Sequence, residues 1–145
     1  MHSASPPPDF TGSCLCGAVQ YEVRGKLRQV IACHCSQCRK TTGHFMAATA
    51  TQRSSLTLTQ AAGLAWYTSS VEARRGFCCH CGSTLFWDGV GRDSISIAAG
   101  TINGRTGVQI AQHIFVSDKG DYYDVCDADS QGLDGKSSAS VSASG

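Results

Sequence analysis

Two short stretches decide how this chain is to be read: Cys14-Leu15-Cys16-Gly17 near its start and Cys78-Cys79-His80-Cys81-Gly82 past its middle. Each brings one pair of cysteines close together, Cys14 with Cys16 and Cys78 with Cys81, and then closes on glycine, the residue that lets a backbone bend sharply. Cys14, Cys16, Cys78 and Cys81 together supply four thiolates, a complete tetrahedral set for zinc. Metal that closes so long a loop contributes its binding energy to folding. A third stretch, Cys33-His34-Cys35-Ser36-Gln37-Cys38, differs in kind, because it offers three sulfurs rather than two. Three protein ligands and one open position is the arrangement of a catalytic zinc. Cys79, Cys126, His34, His80 or His113 could equally supply a fourth ligand and close the site, and spacing leaves both forms open. Disulfides are the poorer reading of these clusters: nine cysteines leave one over, and Cys-x-Cys pairing makes a strained ring. Four thiolates also suit iron, but this spacing in a small β domain favours zinc.

Working outward from the cysteines, period-2 patterns dominate. Val19, Tyr21 and Val23 alternate with polar residues, as do Leu56 and Leu58, and Ile95 and Ile97. Such alternation marks half-buried strands. His113 to Val116 and Tyr122 to Val125 are shorter strand-like runs. Ten glycines, from Gly12 through Gly76 and Gly89 to Gly104, read as turns between them. The one helix expected is a turn or two over Ser36 to Thr42, with Ser36 capping its start and Gly43 ending it. The fold class is therefore all-β, in short sheets stapled by metal, with little helix.

The chain's 145 residues suit one domain. Residues 1–9, rich in Ser and Pro, read as a flexible lead-in. Residues 127–145, almost all Ser, Ala, Gly and Asp, read as a disordered tail. The folded zinc domain is then 10–126. A net charge of +1, from 12 basic and 11 acidic side chains, argues against a nucleic-acid partner. No stretch approaches the ~20 apolar residues of a membrane span, and no signal peptide is visible. The expected place is a reducing one, the cytoplasm, where clustered cysteines hold metal. Cys79 reads as a spare thiol beside a ligand, and Cys126 as a core cysteine. His34 and His80, between ligands, should point away from the metal, while His44 and His113 read as strand residues.

Four motifs in order resemble the glutathione-dependent formaldehyde-activating (GFA) family, also called CENP-V/GFA. They are Gly12 to Tyr21, Cys33 to Gly43, Gly76 to Ser83, and Ala99-Gly100-Thr101 with His113 to Val116. The resemblance runs from about Thr11 to Val125. It implies an Mss4-like fold, a structural zinc on Cys14, Cys16, Cys78 and Cys81, and a catalytic zinc on Cys33, Cys35 and Cys38. One departure stands out: Ile102-Asn103-Gly104 replaces the family's Leu-Asp-Asp, so a substrate contact made by those carboxylates is in doubt.

The activity implied is that of a carbon–sulfur lyase. Glutathione, as co-substrate, would join a small carbonyl compound such as formaldehyde at the second site. Three thiolates already outweigh the charge of the ion, so zinc serves there to hold a fourth sulfur as thiolate rather than as a strong Lewis acid. Arg39, Lys40 and Arg74 are candidates for the glutathione carboxylates, but a solvated surface is the reading favoured for each. Two other readings stand beside the enzyme. One is a binding module with both zincs structural; the other is a thiol redox sensor with Cys79 as resolving thiol.

Overall fold

A computed structural model describes residues 6–126 of the chain. Residues 1–5 of the expected lead-in and the whole expected tail, 127–145, lie outside the described residues. The described part is built of strands β1 (Phe10–Ser13), β2 (Gln20–Val23), β3 (Val30–Cys33), β4 (Met46–Gln52), β5 (Leu56–Gln60), β6 (Leu64–Ser70), β7 (Ala73–Cys78), β8 (Thr84–Gly89), β9 (Ser94–Ala98) and β10 (Ile110–Ile114). A single α-helix, α1 (Ser36–Thr42), interrupts them. The all-β expectation holds.

The strands form a three-stranded sheet, β1-β2-β5, and a seven-stranded sheet, β10-β3-β4-β9-β8-β7-β6. Pairing is antiparallel throughout except between β10 and β3, which run parallel. Alternation places Tyr21 and Val23 of β2 on one face, and they pack with Phe86, Ile95 and Ile97 of the larger sheet in the main core. The Tyr21 and Phe86 rings meet edge to face at 5.4 Å. Burial removes Tyr21 from water, and its hydroxyl bonds Thr101 Oγ1 at 2.7 Å, so the polar tip keeps a partner. Cys14 and Cys78 belong to this same core, which ties the first cysteine set to the packing of both sheets.

Several expectations are corrected. Helix α1 spans Ser36–Thr42 as expected, but its cap is Cys35, not Ser36: the Cys35 sulfur accepts the Cys38 amide and so replaces the oxygen of an ordinary cap. Gly43 does end the helix, at φ 81°, a left-handed conformation suited to glycine. Tyr122 to Val125 is not a strand; both tyrosine rings instead pack among His44, Phe45 and each other. Gly12, Gly76 and Gly89 lie inside strands rather than turns. At Gly12 a side chain would run into the Tyr21 ring, so close approach, not turning, requires glycine there. Cys126 is exposed, not a core residue.

Candidate functional site

The first sulfur set assembles from two ends of the chain. Cys14 follows β1, Cys78 closes β7, and the four sulfurs of Cys14, Cys16, Cys78 and Cys81 all lie within 4.8 Å of one another. Cys14 and Cys16 are 3.7 Å apart and Cys16 and Cys78 3.8 Å. A zinc tetrahedron with bonds of ~2.3 Å has an edge of ~3.8 Å, so the set fits the ion. The amides of Val19 and His80 donate to the Cys14 and Cys78 sulfurs at 3.3 and 3.4 Å. These donors, rather than the amides of Gly17 and Gly82, offset thiolate charge; the Gly82 amide is engaged by the Cys78 carbonyl. Gly63 stitches the halves together, donating to Ala18 and accepting from Cys79 through its backbone. Cys79 itself is exposed and its side chain is outside the sulfur set.

The second set sits where β3 gives way to α1. Cys33 ends the strand, Cys35 caps the helix and Cys38 occupies its first turn, so six residues of chain turn three sulfurs to one point. Cys35 and Cys38 are buried, with Met46 and Ala48 of β4 and the Phe115 ring packed around them. Three thiols so close cannot all ionise without a cation. Cys35, accepting from Cys33 and then Cys38, is held down at about 2. Cys33 is pushed up by sharing with Cys35 and Cys38. Cys38 is pulled down by Cys33, but Cys35 and burial outweigh that and bring it to about 11. Crowding thus favours one thiolate and disfavours the other two, an arrangement that a divalent cation would relieve.

Among the described residues no His, Cys, Asp or Glu joins these three as a fourth ligand. His34 is fully buried yet faces away, its Nε2 2.9 Å from His113 Nδ1 and its Nδ1 on the Tyr123 hydroxyl. Burial first, then the like charge of His113, holds its imidazole down at about 4, so it stays neutral. His80 is exposed and joins neither set. His113 is a strand residue as expected, but His44 is not: it follows α1 and bonds the Tyr122 hydroxyl at 2.8 Å.

Beside the sulfurs opens a pocket of about 660 Å³, into which Cys33 and Cys38 face. That volume suits a small-molecule ligand. Ile114 and Phe115 wall one part of it, and Phe115 holds φ 56°, a strained backbone for a bulky residue. None of Ile102, Asn103 and Gly104 is among its lining residues. Ile102 instead pairs with Gly12, and Asn103 bonds Thr11, so the departure from the family pattern lies against β1.

The basic residues at the pocket are not those expected. Arg39 is turned to the Asp118 carbonyl, Arg74 to Asp88 and the face of Trp66, and Lys40 is exposed. Arg28, Arg75 and Arg92 line the pocket in their place. Arg75 is buried, with Nη2 3.5 Å from Cys38 Sγ, while its Nε has no partner. A signal for it existed: in β7, Arg75 is in phase with Ala73 and Phe77, so it faces inward while Arg74 faces out.

Fold and sulfurs define a small all-β protein with two cysteine clusters able to hold metal. The chain belongs to the family described as glutathione-dependent formaldehyde-activating enzyme, whose model matches residues 9–118. An uncharacterized lyase of Schizosaccharomyces pombe is 32% identical over 119 residues, covering 81% of this chain and 85% of that protein. A crystal structure of a Rhodobacter sphaeroides protein superposes with a TM-score of 0.57 at 25% identity, covering 69% of this chain and 98% of the other. No helix among the described residues is long and apolar enough to cross a membrane.

Proposed function

We propose that the protein is a zinc-dependent carbon–sulfur lyase that joins a thiol such as glutathione to a small carbonyl compound such as formaldehyde, or runs that reaction backwards. The observation that carries this reading is the second sulfur set: three converging cysteines, two of which face a pocket, with no fourth protein ligand beside them. Family membership and the lyase name of the fission-yeast relative support the reaction class. Cys33, Cys35 and Cys38 would hold the catalytic zinc, and Cys14, Cys16, Cys78 and Cys81 the structural one. Those three cysteines would hold zinc so that, when bound, it would lower the pKa of an incoming thiol and let its sulfur act as thiolate.

The chain's own residues do the rest. Met46, Ile114 and Phe115 give the pocket an apolar lining beside the sulfurs. Arg75 offsets the negative charge that collects when a fourth sulfur joins three. In the joining direction, sulfur donates an electron pair to carbon, the C–S bond forms, and the carbonyl π pair moves to oxygen, which takes up a proton. The product is an S-hydroxymethyl thioether; in reverse the hydroxyl loses its proton as the C–S bond breaks.

Zinc content by mass spectrometry, with glutathione titration, tests the proposal on wild type and Cys35→Ala. Two zincs falling to about one, with glutathione binding lost and the fold kept, is expected. A wild type that carries two zincs and ignores glutathione would sink the enzyme reading and favour a binding module.

A further inference from the structure

The pocket beside the three cysteines has an uneven charge that the sulfur chemistry does not use. Its inner part holds buried Cys38, Met46 and Arg75, whereas Arg28, Arg92 and Glu72 are exposed at its rim. Among the described residues neither Arg28 nor Arg92 has a carboxylate partner, although Arg24, Arg53 and Arg74 each do. Both rim arginines are nonetheless held. Arg28 Nη2 donates to the Ala48 carbonyl at 2.7 Å and its Nε to the Gln29 carbonyl at 3.0 Å, leaving Nη1 without a partner. Arg92 lies over the Trp87 ring, 5.2 Å from its centre. Partial burial, then the like charge of Arg92, pulls the Arg28 guanidinium below its usual range, so the two cations feel each other. Two tethered guanidiniums facing one space, with no anion of their own, form a ready site for carboxylate, which a guanidinium fork binds in bidentate fashion.

We propose that Arg28 and Arg92 form a carboxylate-binding rim that makes the enzyme select thiols bearing carboxylates over small neutral ones. This rests on the thiol-binding reading of Cys33, Cys35 and Cys38. The rim sets which thiol arrives; the cysteines set what happens to its sulfur. A peptide-like thiol with its sulfur in the inner part leaves its charged ends near the mouth. There Glu72, the acidic residue among those lining the pocket, matches a substrate ammonium. Exposed charge pairs act chiefly on encounter and selectivity, so the effect should weaken with salt.

Calorimetry on the zinc-loaded full chain tests this with three probes: glutathione, its diethyl ester and 2-mercaptoethanol. The proteins compared are wild type, Arg92→Ala and Arg28→Gln. In wild type, glutathione should bind about tenfold more tightly than its ester. Each substitution should erase most of that preference while leaving 2-mercaptoethanol binding unchanged. Because Arg28 also tethers β4, far-ultraviolet circular dichroism checks the fold, and Arg92→Ala stands independently. Equal binding of acid and ester by wild type, or undiminished glutathione binding by Arg92→Ala, overturns the rim alone. If wild type binds none of the three thiols, the thiol-binding reading falls and the rim with it.

Discussion

Replacing Arg75 with methionine should loosen one metal and leave the fold standing. Arg75 is 4% exposed, and its Nη2 lies 3.5 Å from Cys38 Sγ. Full unit charges at that separation would attract by about 5 kcal/mol at an effective dielectric of ~20. The real value is smaller, because the guanidinium charge is spread and the sulfur charge is shared with the ion. A hydrogen bond to a charged group contributes ~1.5–3 kcal/mol, which is a tenfold to hundredfold change in affinity. The same range is typical when a partner of a metal ligand is removed. Folding should change little, since Arg75 brings a buried charge, three contacts stretched to 3.5 Å and an orphaned Nε. An apolar side chain of similar length removes those costs. The assay is native mass spectrometry of zinc-loaded protein against graded chelator, with thermal melting alongside. Arg75→Met should surrender its first zinc at a tenfold to hundredfold lower chelator concentration and keep the second as wild type does, with Arg75→Lys intermediate. Identical chelator profiles for wild type and Arg75→Met would refute the reasoning; so would a variant that fails to fold.

Three further outcomes follow from particular contacts. Cys14→Ala or Cys81→Ala should yield little soluble folded protein, because those sulfurs join two sheets, whereas Cys35→Ala should stay soluble; equal yields would contradict that division of labour. Gly63→Ala should cost about 1–3 kcal/mol in urea unfolding, since a new Cβ would sit 2.8 Å from both Cys78 Sγ and Ala18 Cβ, and a neutral result would mean the knuckles are slacker than they look. Asp88 is raised by burial but lowered more by Arg53 and Arg74, at 2.6 and 3.0 Å, so its folded pKa lies below the ordinary 3.8. Its stabilisation is therefore complete above the unfolded pKa and lost as pH falls through the folded one. With both arginines nearly half exposed, solvent screens the pairs to about 1 kcal/mol. The gap in urea midpoint between wild type and Asp88→Asn should be present at pH 6 and shrink toward pH 3; a gap independent of pH would show that the carboxylate charge is not its source.

Both sulfur sets were legible in the sequence because each needs only a short bite of chain: Cys14 with Cys16, Cys78 with Cys81, and Cys33 to Cys38 are local patterns. Strands β2 and β9 were legible for a similar reason, since one face of each meets the core and the other does not; β5 alternates in sequence, but only Leu56 of it approaches the core. Strand β4 escaped notice. Its Met-Ala-Ala-Thr-Ala-Thr run is buried on both faces, so no alternation survives. Strand β7 escaped because a buried arginine breaks the expected hydrophobic pattern.

The sequence by itself determined which cysteines form the two sets able to hold metal, and the fold class. Ligand type and spacing dictate the first, and the two-residue period of strands the second. Only tertiary structure decided which charges meet that chemistry. Arg28, Arg75 and Arg92 come from separate segments and share a pocket through sheet order alone, while Arg39 and Arg74, nearer in pattern to the cysteines, are drawn off by Asp118 and Asp88. Tertiary structure likewise turned His113 to His34 rather than to the sulfurs, whereas His34 and His80, flanked by cysteines, already read in the sequence as pointing away.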